Sequence, residues 1–277
     1  MESKDLTIVI VTFKSEEKIF KCLKSISNKI PVLVVENSNN ENFKKMVQDK
    51  CVNVNCVLTG ENKGYSIANN IGLNLVKTKY ALVLNPDTIL DTKAIENFFD
   101  SANINRDFWL MGPANNQVEK LDFKENYLQE VDNLKGFAIF FNMSKFNKKY
   151  FDENFFLFFE EIDLCKRVKK NKGKIYLNKN IVIKHEGGSS VSDNNNIELE
   201  KNRNWHWMWS TFYYHKKYKG FILAFIIIIP KLFSAIFKAL FFSLIFNSKK
   251  RDIYFYRLSG IFNSIIGKKS WYRPALD

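Results

Sequence analysis

The chain is poor in the residues that staple or punctuate a small fold. Its 277 residues include four cysteines, five prolines, eleven glycines and three histidines. Cys22, Cys51, Cys56 and Cys165 are too few for a disulfide scaffold and lack the paired C-x-x-C blocks of a zinc site, which points to a reducing cytosol. Heptads and collagen triplets are missing, and a hydrophobic content of 46% excludes a disordered chain. No secretory leader is expected, because the apolar stretch from Leu6 to Phe13 follows an acidic start. The turn after that stretch, TFKSEE, contains no glycine, so the G-x-G-x-x-G fingerprint is absent, as is the phosphate-loop motif G-x-x-x-x-G-K-[ST]. Two common nucleotide-binding folds are thereby disfavoured.

Acidic residues are scarce in one region. Residues 1–200 set 28 Lys+Arg against 27 Asp+Glu, whereas residues 201–277 set 14 against Asp252 and Asp277 alone. Nearly all of the formal +13 therefore lies in the last quarter. A basic nucleic-acid-binding module would account for the total, but the uneven distribution asks for a more local cause.

What is present is a strand–helix alternation. Leu6–Phe13 is β-branched and continuously apolar, as a strand buried on both faces should be. Further strands are predicted over 31–36, 52–58, 80–84, 107–112, 136–141 and 174–177. Helices are predicted from Ser15 through Ile26, over 65–76 and over 92–102. This is an α/β domain with a mainly parallel sheet, extending to about residue 200 and followed by a basic, aromatic region over 201–277. In such sheets ligands bind beyond the C-terminal strand ends. Polar clusters lie there at Thr12–Ser15, Glu36–Asn40 and Asn85–Thr88.

Three sets of residues could carry chemistry. Asp87, held after a buried strand and Pro86, suits a hard divalent cation such as Mg²⁺ or Mn²⁺; the same aspartate could equally cap a following helix. Glu160, Glu161 and Asp163 crowd three acids beside the apolar FFLFF, which should raise at least one pKa toward that of a general base. Alternatively they form an acidic helix start paired with Lys166 and Arg167. His185, before Glu186-Gly187-Gly188-Ser189-Ser190, could ligate a metal or touch a diphosphate, or be structural.

At these residues the sequence resembles family-2 glycosyltransferases of the GT-A fold, in the branch of bacterial rhamnosyltransferases. TIVIVTFKS, VVENSN, NKGYSIANNIG (62–72), LNPD (84–87), FDENFFLFFEEIDLCKR (151–167) and KHEGGSS follow the family's motifs in order. The resemblance implies a nucleotide-sugar site built from Thr12, Phe13, Glu36, Asn62, Gly64, Tyr65, Asn69 and Asn85, a divalent metal on Asp87 and His185, and a catalytic base at Glu161, with Glu160 or Asp163 sharing the role. Glu36 and Glu161 each stand where the family usually has aspartate. It further implies an inverting transferase, with dTDP-rhamnose the leading donor and UDP-hexoses or UDP-N-acetylhexosamines the alternatives. The implied acceptor is a glycan or lipid-linked glycan, the setting surface-polysaccharide assembly.

The tail supplies the location. Residues 221–246 contain 18 Ile, Leu or Phe residues, long enough to span a bilayer, yet Pro230, Lys231 and Lys238 interrupt them. An interfacial helix pair broken at Pro230 is expected, with a buried helical core or an oligomer interface as the alternative. Trp205, Trp207, Trp209, Tyr213 and Tyr214 resemble an interfacial aromatic belt, and lysines bracket the stretch. An anionic membrane surface, reached from the cytoplasm, is thus the expected partner in place of nucleic acid. Self-association stays open.

Overall fold

The computed structural model describes residues 3–114, 127–185 and 196–273. They fall into two compact units: residues 1–152 with 161–191, and 153–160 with 192–277. Residue 200, where the composition changes, lies inside a helix of the second unit, and 153–160 joins that unit from upstream.

The first unit is built on β1 (Leu6–Thr12), β2 (Val32–Glu36), β3 (Val54–Leu58), β4 (Tyr80–Leu84), β6 (Phe108–Pro113), β7 (Leu128–Glu130), β8 (Ala138–Asn142) and β9 (Lys174–Asn178). Their order in the sheet is β3-β2-β1-β4-β8-β6-β9-β7. The β3-β2-β1-β4 half is parallel; β8 runs antiparallel to β4 and β6, and β7 antiparallel to β9. A small antiparallel ribbon pairs β5 (Thr88–Leu90) with β10 (Ile183–His185). The helices are α1 (Glu16–Lys24), α2 (Glu41–Lys50), α3 (Gly64–Leu75), α4 (Ala94–Ile104) and α5 (Glu160–Lys170). Three-residue β5, β7 and β10 are too short to show a period, and α2, with Phe43 and Val47 as its only buried residues, has too little apolar content to announce itself.

All seven β1 residues are buried, because helices cover both faces. Leu6, Ile8 and Ile10 share a core with Ile19 and Cys22 of α1, Phe43 of α2 and Phe98 of α4. Val9 faces the other way, toward Leu73 of α3 and Leu164 and Val168 of α5. Tyr80, Phe98 and Phe108 each stack on Phe140, with centroids 5.1, 4.8 and 5.7 Å away. Gly72 fixes how closely α3 can lie on the sheet: a Cβ there would come within 2.4 Å of Val9 Cγ1.

The second unit is helical. α6 (Asn196–Leu244) passes through Pro230 unbroken and breaks at Gly220, whose φ of 79° is costly for any other residue. The expected break at Pro230 is therefore displaced ten residues upstream. α7 (Ser248–Ile265) packs back on α6, and a Cβ on Gly260 would lie 2.2 Å from the Trp205 carbonyl oxygen. Trp205 and Trp209 are core residues and do not form a belt: their indole N–H groups donate to Ser259 Oγ at 3.1 Å and to the Lys268 carbonyl at 3.0 Å. Trp207 is exposed. His206 is buried, with Nδ1 2.8 Å from Ser270 Oγ and Nε2 2.9 Å from the Tyr272 carbonyl oxygen. Burial lowers its pKa to about 3. By contrast, 17% of the most apolar stretch of α6 is buried, so residues 221–246 are not a buried core. The helix is long and apolar enough to cross a membrane, by length and composition.

Candidate active site

The C-terminal ends of β1, β2 and β4 deliver the polar clusters to one edge of the parallel half-sheet, as the strand pairing Thr12↔Glu36 and Ile10↔Leu84 requires. Thr12 is buried at the end of β1, and Phe13 beside it is half-buried. Glu36, 2% exposed, accepts a hydrogen bond of 2.5 Å from Ser38 Oγ. Burial pushes its carboxyl up to about 7; the Ser38 hydroxyl opposes the rise and the charge of Glu16 adds to it.

The loop into α3 is tied to β2 by a residue not singled out from sequence. Asn37 Nδ2 donates to Asn62 Oδ1 at 3.0 Å and to the Gly64 carbonyl at 3.3 Å, while its Oδ1 accepts from the Lys63 N–H at 2.9 Å. Gly64 opens α3 with φ +83°. Tyr65 then reaches across the site, its hydroxyl 2.8 Å from the Gly136 carbonyl oxygen and 3.4 Å from Asn85 Oδ1. Asn69 donates back to the Tyr65 carbonyl at 2.9 Å, within its own helix. Its neighbour Asn70 clamps Phe151, donating to the carbonyl at 3.0 Å and accepting from the N–H at 2.9 Å. The NNIG run marks these asparagines, but nothing local says which one leaves the helix.

Asp87 follows β4 and its side chain is nearly inaccessible. His185, the last residue of β10, brings Nε2 to 3.3 Å from Asp87 Oδ1, a placement set by the Thr88↔His185 register. Phe137 stacks on the imidazole with centroids 4.7 Å apart and planes 10° apart, which fixes the ring. Asp87 Oδ1 is buried with no aligned hydrogen-bond donor among the described residues. A buried carboxylate oxygen left open beside an imidazole fits a divalent cation. Among the described residues no cluster of three metal-ligating side chains exists, so two protein ligands would need substrate oxygens and water to complete the shell. Glu186 to Ser190 of the KHEGGSS motif lie outside the described residues. Cys22 packs under this corner, its Sγ 3.6 Å from Thr88 Oγ1, and burial pushes its thiol up to about 11, so it is inert.

The acidic triplet divides. Asp163 is fully buried and bonded to Arg167 Nε at 2.7 Å, and Arg167 donates in turn to the Tyr150 carbonyl. Glu160 is buried and belongs to the second unit. Glu161 packs against Gly136, where a Cβ would lie 3.6–3.7 Å from its side chain. Its pKa is raised by burial, opposed by the N–H groups of Glu161 and Ile162, and its Oε2 has no hydrogen-bond partner among the described residues. Of the two causes expected, crowded acids and apolar surroundings, burial is the larger. Gly136 and Phe137 thus join the two chemistries: one touches Glu161, the next holds His185 against Asp87.

Residues 7–165 match the sequence model of Glycosyl transferase family 2. The chain is 29% identical over 195 residues to the low-salt glycan biosynthesis hexosyltransferase Agl10 of Haloferax volcanii, covering 60% of this chain and 62% of that protein. It is 29% identical over 106 residues to a teichoic acid poly(glycerol phosphate) polymerase of Staphylococcus epidermidis, covering 35% of this chain and 15% of that one. The chain therefore spans less than two thirds of these curated relatives. Among solved structures, S. aureus TarS 1–349 in complex with UDP-GlcNAc superposes with a TM-score of 0.54 at 14% identity, over 97% of this chain and 93% of that one. GalNAc-T7 with UDP, GalNAc and Mn²⁺ gives 0.54 at 11% identity, over 73% and 50%. The architecture is the GT-A fold with a mainly parallel central sheet. With its family model matched over more than half its length, the chain belongs to glycosyltransferase family 2.

Proposed function

We propose that the chain is an inverting, metal-dependent glycosyltransferase that moves a sugar from a nucleoside diphosphate to a hydroxyl of a glycan or lipid-linked glycan acceptor. The observation that carries this reading is the Gly136–Phe137 hinge, which sets a raised-pKa carboxyl and an open carboxylate–imidazole pair on either side of one short segment. Glu161 takes the proton of the attacking acceptor hydroxyl, its raised pKa bringing it closer to the working range of a general base. Asp163 positions α5 through Arg167 and does not meet the acceptor. A divalent cation held by Asp87 and His185 would offset the charge that develops on the leaving diphosphate. Thr12, Phe13 and Glu36 line the nucleotide base end, and Asn62, Gly64, Tyr65, Asn69 and Asn85 shape the floor beneath the diphosphate and sugar. A single displacement with one base inverts the anomeric centre, unlike the two-carboxylate retaining scheme.

For the donor, the motif resemblance favours dTDP-rhamnose. A second reading, a UDP-N-acetylhexosamine, is favoured by the likeness to TarS solved with UDP-GlcNAc. The location we infer is peripheral, on the cytoplasmic face of a membrane, where an anionic leaflet would meet the Lys-flanked apolar helix. A donor-hydrolysis screen over UDP- and dTDP-sugars, with Mn²⁺ and with chelator, tests the donor and the metal. Turnover of one donor that chelator abolishes is expected. Hydrolysis that persists in chelator would overturn the metal assignment, and turnover of another donor with neither dTDP-rhamnose nor a UDP-N-acetylhexosamine consumed would overturn both donor readings.

A further inference from the structure

The second unit contains a cavity of about 220 Å³ lined by Lys231, Ser234 and Lys238 of α6 and by Tyr254 and Arg257 of α7. Three cations therefore face one hollow. In residues 201–273 the only acid is Asp252, which already accepts from Arg251 Nη2 at 2.8 Å. Among the described residues no carboxylate pairs with Lys231, Lys238 or Arg257. Lys238 Nζ and the Arg257 guanidinium both stand over the Tyr254 ring, 5.4 and 5.7 Å from its centroid. The ring thus contacts two cations that line the same hollow, and a bound anion there would offset their charge.

The surroundings narrow the anion. The hollow is smaller than the roughly 300–1,000 Å³ of pockets that take drug-sized ligands. It suits a phosphate group better than a nucleoside diphosphate. On the same stretch of α6, Phe233 and Phe237 are 66% and 69% exposed. Large exposed apolar patches on a helix mark a contact surface. A phosphate flanked by hydrocarbon is the chemistry of a phospholipid.

We propose that this cavity binds the phosphate group of an anionic membrane phospholipid, with Lys231, Lys238 and Arg257 balancing its charge, the Ser234 and Tyr254 hydroxyls as further donors, and Phe233 and Phe237 against the acyl chain. This rests on the membrane-surface reading above, but it goes further. General attraction needs only net charge near an anionic leaflet. A built site makes these three cations count for more than any other three.

The full chain is floated with vesicles of phosphatidylglycerol and phosphatidylcholine, and with phosphatidylcholine alone. A cavity triple, K231Q/K238Q/R257Q, is compared with a triple of exposed lysines outside it, K249Q/K268Q/K269Q, which removes the same charge. The cavity triple should lose at least about tenfold more affinity for the anionic vesicles than the control triple. Equal losses would overturn the site while leaving membrane association standing. No flotation of the wild type would overturn both. Millimolar inorganic phosphate should leave the flotation unchanged; release by it would make the cavity a site for soluble phosphate and overturn the lipid assignment. If the cavity triple melts early, Lys231→Gln alone, at an exposed position, carries the same test at smaller amplitude.

Discussion

The two units solve opposite problems. The first buries a large apolar core on both faces of the sheet and leaves polar atoms such as Asp87 Oδ1 and Glu161 Oε2 without an aligned hydrogen bond among the described residues. The second pairs much of its buried polar inventory, with His206, Trp205, Trp209 and Ser264 all hydrogen-bonded, and leaves many of the Phe, Leu and Ile residues of 221–246 exposed. A buried polar atom without a partner costs about 1–3 kcal/mol, and an exposed apolar face forgoes about 25 cal/mol per Å². Each unit gives up stability where a different ligand would restore it. The comparison teaches where to look: unmet hydrogen bonds mark the proposed reacting centre, and unmet apolar surface marks the proposed membrane contact.

The sharpest test separates unmet from met groups within the first unit. Glu161→Gln should lower turnover by about 10²–10⁴-fold, read from initial transfer rates, with donor affinity little changed. Because Glu161 Oε2 has no partner to lose, the melting temperature should hold or rise. Asp163→Asn should do the reverse. Breaking the buried Asp163–Arg167 pair at 2.7 Å should cost about 3 kcal/mol in urea unfolding, with the turnover of the folded fraction largely kept. If both variants lose activity without losing stability, the acidic triplet acts as one catalytic group and the division proposed between its members is wrong.

A smaller effect compares close packing in the two units. Gly72→Ala brings a Cβ against the methyls of Val9 and Val35, side-chain atoms that can shift with less disturbance than a backbone atom. Gly260→Ala brings one to 2.2 Å from the Trp205 carbonyl oxygen, a backbone atom that can move only with α6. Both changes gain up to about 1 kcal/mol of helix propensity. Overpacking costs about 1–3 kcal/mol, so Gly260→Ala should be net destabilising and Gly72→Ala closer to neutral. Urea titration followed by far-UV circular dichroism would show it. A more damaging Gly72→Ala would mean that the sheet unit is the less yielding of the two.

Sequence alone carried the sheet unit further than the helical one. A short, β-branched apolar run such as Leu6–Thr12 reads as a doubly covered strand, so β1 and β4 are legible, and with them the strand ends where Thr12, Glu36 and Asp87 sit. Helix α2 is not, since its ten residues bury two side chains. The acidic triplet is half legible: its spacing to Arg167 offers the pair that Asp163 makes, but nothing in the chain says that Glu161 meets Gly136 from a distant loop. The helical unit misled for a physical reason. Proline costs a helix one hydrogen bond, which an otherwise continuous apolar helix can absorb. Gly220 permits a φ of 79° that ends the regular ladder outright. Composition also reads five aromatics as a belt, because it cannot see that Trp205 and Trp209 have hydrogen-bond partners indoors.

The most direct contrast uses pH, because acid should push the two units in opposite directions. Glu36 holds its proton up to about pH 7 in the folded chain, whereas an ordinary glutamate releases it near 4.5. Its contribution to stability is therefore full below about pH 4.5 and lost as the pH rises through about 7. His206 stays neutral down to about pH 3 when folded, whereas an unfolded histidine takes up a proton near 6.5. That contribution is full above about pH 6.5 and lost as the pH falls toward 3, amounting to about 2 kcal/mol by pH 5. Hydrogen exchange corrected for intrinsic rates should then show amides of β2 better protected at pH 5 than at pH 7.5, and amides around His206 less protected. Glu36→Gln should remove the first trend and His206→Asn the second, each leaving the other in place. Protection that moves the same way in both segments would mean that global unfolding, not these two buried groups, sets the response to acid.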